Sequence, residues 1–349
     1  MDLDGPNWFR PTLDRIEHRA PAADLAGEWP QDDLDDLVKI NAMKWCIPSA
    51  YGGEHLDAME LNDRYELLAS ASLSAALLLS QRDSAVGLIE VSSNESLRRE
   101  LLPRLASNAD WTTIGISHLT TSSRGSALSA RRDGSGYRLD GDIPWASGAT
   151  RASYIVAAAK LEEGRQLLFK LPTDAPGVCV QPPMRLATLS AAPTSAITCE
   201  NVHLPLDLVL KGPAENVLSG RSKAVRISQA FAAFGLTRAA LRLIARLQNE
   251  AAATTLDILS RQFSDLRQTV ADANRDSDSH DLQFVPLLRS ECNSLAMRAT
   301  HAAVTLYKGG ALDVMHPAQR LAREALFLLV WSSPTSVMDR NLEVMLEAR

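Results

Sequence analysis

The sequence predicts an α+β protein in three zones: an N-terminal helical domain over 1–111, a central β-barrel or sandwich domain over 112–212, and a C-terminal helical bundle over 213–349. Three observations predict it. Apolar residues recur three or four apart at both ends of the chain. In the middle the period changes, and Asp-Gly pairs punctuate short strand-like runs. Alanine and leucine are plentiful while aromatics make up only 5%, a balance that favours helix.

In the first zone, "WPQDDLDDLVKI" opens a helix with proline and acid, Asp32 and Asp33 facing the positive end of the dipole. Gly52 and Gly53 mark a loop in "IPSAYGGEHLD". "AMELNDRYELLASASLSAALLLSQ" reads as one long helix. In the second zone, Asp133-Gly134 and Asp140-Gly141 each signal a turn. "SYIVAAAK" and "RQLLFKLP" flank a polar "LEEG" turn as a hairpin, and "SAITCENVHLP" supplies another strand. The third zone returns to helices. In "FGLTRAALRLIARLQ", Leu236, Ala240, Leu243 and Leu247 form an apolar stripe. Arg238, Arg242 and Arg246 form a second stripe, read as a solvated or subunit-facing surface. "DANRDSDSHD" is expected to loop, "NSLAMRATHAAVTLYKGG" carries a further helix, and a last helix starts after Pro317.

Bulk composition narrows the function. The 349 residues suffice for two or three domains, and 46% hydrophobic with 22% charged residues is an ordinary globular mixture. A net charge of −6 argues against nucleic acid as a partner, because a phosphate backbone needs a basic surface. Cys46, Cys179, Cys199 and Cys292 form no CxxC pair, so neither a metal site nor a disulfide framework is expected. Met1–Arg10 lacks the apolar core of a signal peptide, and no apolar run is long enough to span a membrane. The expected compartment is the cytoplasm.

Five stretches, in order, resemble the acyl-CoA dehydrogenase family. They are "WPQDDLDDLVKINAMKWCIPSAYGG", "LPRLASNADWTTIGIS", "GYRLDGDIPWASG", "CENVHLPLDLVL" and "HPAQRLAREA". The third is similar to the family's G-Y-x-L-x-G-x-K-x-W-I-[ST]-N, the last to its P-x-x-R-x-x-R-D-A. The ordered set covers nearly the whole chain. The resemblance implies FAD held between subunits, an acyl-CoA or other small-molecule substrate, and a homodimer or homotetramer. It also implies that Trp145 lies by the flavin ring and that Ser147 bonds to it. An indole excludes water there, and a hydroxyl donates or accepts at the redox edge. The other reading of Trp145 is a core tryptophan at a strand end.

The chain departs from the family pattern at four places. In "SHLTTSSRGS", Ser117 stands at the threonine and His118 at the glutamate of T-E-P-x-x-G-S-D. Ser122 or Ser123 takes the place of the serine on the flavin pyrophosphate, unless the loop is merely polar. In "TLYKGGAL", Thr305 replaces the glutamine and Lys308 a glycine of Q-x-x-G-G-x-G-Y, with Gly309 next to it. Lys308 is either a charge for the pyrophosphate or a surface lysine. The cross-subunit R-x-x-F-G segment has no clear counterpart; "SRQFSDLRQ" offers only Arg261 and Phe263.

The fourth departure concerns the base. Removing the α-proton of an acyl thioester takes a carboxylate, the glutamate of the family's Y-E-G-T. Here "LVWSSPTSVMD" places Trp331 at the tyrosine and Ser332 at the glutamate. A serine without an adjacent base is a poor proton acceptor. Some relatives carry the base just before an arginine early in the bundle. That arginine resembles Arg226, carried over as substrate-binding, and its predecessor is Val225. Three functions follow as expectations: an FAD-dependent oxidoreductase on acyl thioesters with a non-standard or absent base, a flavin monooxygenase or oxidase on the same fold, and a non-catalytic protein that has lost FAD.

Overall fold

A computed structural model describes residues 5–120, 127–218, 223–275 and 284–346. Its N- and C-terminal parts are helical, and a mixed sheet lies between them.

The chain opens with α1 (Arg10–Ala26), stopped by Gly27, and α2 (Gln31–Lys39) behind Pro30. Helix α3 (Ala58–Ala71) starts at Asp57, whose carboxylate accepts from the backbone N–H of Met59 and Glu60. The long helix expected here is two helices. Ser72 is extended (φ −153°, ψ 113°) and its hydroxyl accepts from the Ala75 N–H, so the residue ends α3 and caps α4 (Leu73–Glu90). Helix α5 (Glu95–Ala106) follows, capped by Asn94.

The strands are β1 (Thr112–Gly115), β2 (Ser129–Asp133), β3 (Gly136–Ser147), β4 (Tyr154–Leu161), β5 (Gln166–Pro172), β6 (Val178–Val180), β7 (Thr194–Pro205) and β8 (Val209–Ala214). A four-residue helix, α6 (Ser117–Thr120), follows β1. The order across the sheet is β6-β7-β3-β2-β4-β5-β8, with β1 parallel to β4. The β4–β5 hairpin forms as the "LEEG" turn predicts. Asp133-Gly134 turns β2 into β3, whereas Asp140-Gly141 does not turn the chain. Gly141 lies inside β3 at φ +116°, where the register with β7 slips, so this Asp-Gly pair marks a bulge.

Among the described residues five helices follow: α7 (Lys223–Ala245), α8 (Glu250–Arg275), α9 (Phe284–Tyr307), α10 (Pro317–Val330) and α11 (Thr335–Leu346). The single last helix expected after Pro317 is thus two. The "DANRDSDSHD" loop lies largely outside the described residues.

Three apolar cores hold the layers. Helices from both ends share one: Leu13, Leu68 and Leu78 meet Phe231, Phe263 and Leu321. A second packs Val86, Ile89 and Leu101 against Val156, Ala158 and Leu168 on the outer sheet face. The third is the sheet's own. Ile143, Ala157, Phe169 and Ile197 come from strands up to four places apart, so the sheet curls around them.

The arginine stripe of α7 is a correction. Arg238 is buried and donates through Nε to Glu66 at 2.9 Å, and Arg267 of α8 reaches the other oxygen of that carboxylate at 2.8 Å. Arg242 reaches Glu17 of α1 at 2.9 Å. Only Arg246 is exposed. Helix α7 packs against α3, so its second stripe meets acids from α1 and α3 that a single-helix pattern does not contain.

No described helix is long and apolar enough to cross a membrane.

Candidate functional site

Strand β3 delivers Trp145 and Ser147 to one sheet end. Trp145 is 50% exposed although Ile143 and Ala146 beside it are buried. The Ser147 hydroxyl lies 2.8 Å from that of Thr194 on β7. Thr194 already donates its only hydroxyl hydrogen to the Ala192 carbonyl at 3.0 Å. Ser147 is therefore the donor in that pair, and its lone pairs are left to accept from another N–H or O–H.

Gly148 holds this turn in place. Its N–H donates to the Pro193 carbonyl at 2.7 Å. Its φ is +76°, and a Cβ there would come within 3.2 Å of Leu78, Trp29 and Trp111. Trp29 and Trp111 meet edge to face with centroids 5.2 Å apart. The turn after Trp145 is thus seated on aromatic rings from the loop before α2 and the segment entering β1.

Ser117 follows β1, beside β3: a Cβ on Gly115 would touch Ile143 at 2.9 Å. Ser117 and Trp145 each lie two residues beyond that contact along the chain, on opposite sides of it. Next to Ser117, His118 is 3% exposed. Its Nε2 lies 2.9 Å from the Ala158 carbonyl, which only accepts, so Nε2 carries the proton. Burial lowers the imidazole pKa and keeps the ring neutral near pH 7. Ser122 and Ser123 lie outside the described residues.

Lys308 and Gly309 occupy a different layer. They follow α9 in a short 3-10 turn packed on α9 and α10, and both are exposed. Lys308 has φ +54°. The Tyr307 hydroxyl donates to the Leu243 carbonyl at 2.9 Å and ties the turn to α7. Arg226 lies on α7, but its side chain is outside the described residues. Arg261 is an exposed partner of Asp257, and Phe263 is a core ring.

Trp331 and Ser332 follow α10. Ser332 is exposed at φ +44°. Arg289 of α9, 6% exposed, donates to the Ser332 carbonyl at 2.9 Å and also to the Trp331 carbonyl. Burial lowers the guanidinium pKa to about 10. Among the described residues, Asp339 and Glu343 are exposed on α11, and Glu343 pairs with Arg340.

Sequence reading missed Thr194, Arg289 and the Trp29–Trp111 seat. Arg289 left one trace, a lone arginine in the apolar run "FVPLLRSECNSLAM". For Thr194 there was no signal, because its role exists only across the β3–β7 pairing.

The chain has parallels among known proteins. The model for the N-terminal domain of acyl-CoA dehydrogenases matches residues 12–109. A probable acyl-CoA dehydrogenase of Mycobacterium tuberculosis, FadE25, is 23% identical over 347 residues, 92% of this chain and 89% of the relative. The chain is acyl-CoA dehydrogenase-like. Solved structures place the acyl-CoA dehydrogenase-like chain in the same fold. The glutaryl-CoA dehydrogenase of Mycobacterium smegmatis in complex with FADH2 superposes with a TM-score of 0.82 at 18% identity, covering 99% of this chain and 96% of the other. KijD3, in complex with FMN and a dTDP-linked amino sugar, gives 0.79 at 21% identity, covering 99% and 94%.

Proposed function

We propose that the chain is an FAD-dependent oxidoreductase acting on an acyl thioester, with no carboxylate at the usual base position. The observation that carries this is the Trp145–Ser147 turn. It offers a half-exposed indole beside a hydroxyl whose lone pairs are left to accept. A flat ring lying on the indole excludes water from one face, and Ser147 accepts from an N–H on its edge. These features fit a flavin. Ser117 and Ser123 are the residues proposed for its other end. When bound, FAD supplies the acceptor for a hydride leaving the β-carbon of the acyl chain.

The protein's remaining task is to take the α-proton. At position 332 it offers an exposed alcohol on a turn clamped by Arg289. A neutral alcohol with no base beside it is a poor proton acceptor, so reduction of the flavin by a thioester is expected to be slow. Anaerobic titration of the FAD-loaded protein with acyl-CoA thioesters of several lengths tests the reading. Bleaching of the flavin by one of them is the expected result, and no bleaching by any of them overturns it.

The lack of a carboxylate at positions 225 and 332 favours a second reading, a flavin monooxygenase or oxidase, in which oxygen rather than α-proton removal drives the chemistry. KijD3, with its FMN, shares the fold. An assay with a supplied reductase distinguishes the two by oxygen consumption coupled to a hydroxylated product.

We assign the chain to a homodimer or homotetramer. Leu326 and Val330 on α10, and Met338, Leu342 and Leu346 on α11, are spaced four apart and 46–79% exposed. Lys308 and Gly309 are proposed, on the family resemblance alone, to meet the FAD pyrophosphate of a second copy. The division at 1–111, 112–212 and 213–349 is retained as the domain proposal.

A further inference from the structure

The curled sheet does not close along its whole length. Strand β2 pairs with β4 at two positions only, Ser129↔Lys160 and Ala130↔Leu161. Beyond them β2 continues in its hairpin with β3, while β4 turns through Glu162–Gly164 into β5. The two ribbons part, and a cavity of about 880 Å³ opens between them and β8. Its floor is the end of the sheet's own core: Ala130, Tyr137 and Leu161 are at most 7% exposed. The mouth of a curled sheet, where an apolar interior meets a polar rim, is a common place for small ligands.

The rim decides which ligand. It carries Arg131, Arg132 and Arg165 against Glu162 and Glu163, one positive charge in excess. Arg165 is committed to Glu163, with Nη2 and Oε1 2.7 Å apart. Arg132 lies over the Tyr137 ring, 4.9 Å from its centroid. Among the described residues neither Arg131 nor Arg132 has an ion-pair partner. A guanidinium stacked on an aromatic face keeps its N–H fork for a carboxylate. An excess of one charge suits a monoanion better than a phosphate dianion, which would face both glutamates.

We propose that this mouth is a second binding site, for a small carboxylate on an apolar stem. The carboxylate meets Arg132 and the stem lies on Leu206 and Val209, over the buried floor. The site is separate from the Trp145 turn: Tyr137 and Trp145 are eight residues apart on β3, roughly 25 Å of extended strand. It does not depend on FAD.

Calorimetric titration of the full-length protein with octanoate tests the proposal, with octylammonium as the opposite-charge control. Arg132 and Leu206 are exposed, so Arg132→Gln removes the charge and Leu206→Trp narrows the mouth with the fold intact. Octanoate is expected to bind the wild type and Trp145→Ala equally, at least tenfold more weakly to Arg132→Gln and to Leu206→Trp, and octylammonium not at all. Unchanged octanoate affinity in Arg132→Gln overturns the proposal. Equal binding of octylammonium, or loss of binding in Trp145→Ala alone, also overturns it; the last result moves the ligand to the other site.

Discussion

The Arg289 guanidinium donates to the Ser332 carbonyl at 2.9 Å. It also donates to the carbonyl of Trp331, the residue that follows α10. A buried cation on the carbonyls just past a helix end satisfies groups that would otherwise lack partners. The conformation of the 331–332 turn, with Ser332 at φ +44°, therefore depends on α9. Replacing Arg289 by Met removes both bonds and leaves carbonyl groups partly desolvated, at a cost of about 1–3 kcal/mol. Urea unfolding measures it. Arg289→Lys is expected to recover less than half, because an ammonium lacks the planar fork.

Position 332 is where a base can be restored. Ser332→Glu puts a carboxylate on an exposed turn already held in place. General-base catalysis is worth on the order of 10² to 10⁴ in rate. Stopped-flow measurement of flavin reduction by the best thioester is expected to show at least the lower figure. An unchanged rate would mean that 332 does not face the reacting carbons.

Trp145 and Gly148 separate cofactor binding from folding. Trp145 is half exposed, so Trp145→Ala is expected to change stability by less than about 0.5 kcal/mol while FAD affinity falls at least tenfold. Gly148→Ala strains a residue at φ +76° and crowds Leu78, Trp29 and Trp111. It is expected to lose about 1–3 kcal/mol as well as FAD. Thermal unfolding and FAD titration of both variants check the contrast.

Acid sensitivity has an identifiable source beside α1. Hydrogen bonds from Arg15, and then from Lys39 and Arg19, hold the Asp36 carboxyl well below the usual carboxylate range despite its burial. A depressed folded pKa stabilises the fold above the unfolded value, about 3.9, and that contribution is lost as pH falls below it. The gap in unfolding midpoint between wild type and Asp36→Asn is expected to be constant from about pH 8 to 5 and to narrow below about pH 4. Burial raises the pKa of Asp33 even though Arg19 bonds to it. Its sign is opposite, so Asp33→Asn loses less at pH 7 than Asp36→Asn.

Local pattern made much of this fold legible. Pro30 and the acids after it located α2, the polar turn at 162–164 located the β4–β5 hairpin, and the stretch "SAITCENVHLP" located β7. The failures share a cause. Ser72 breaks a helical run through its own extended backbone and cap, which small residues on both sides conceal. The Asp140-Gly141 pair is a bulge because β7 lies alongside it. Arg238 looked solvated because Glu66 lies 172 residues away. At the candidate site, Trp145 and Ser147 were legible through motif likeness. The donor direction of Ser147 was not, since it is set by Thr194 on another strand.

The central claim is that the Trp145–Ser147 turn holds a flavin. Its most direct test is the visible spectrum of the purified protein after incubation with excess FAD and removal of the unbound fraction. A yellow protein carrying about one FAD per chain, with most of that colour lost in Trp145→Ala, is the predicted result. A colourless protein that takes up no FAD, while circular dichroism shows it folded, would contradict the account.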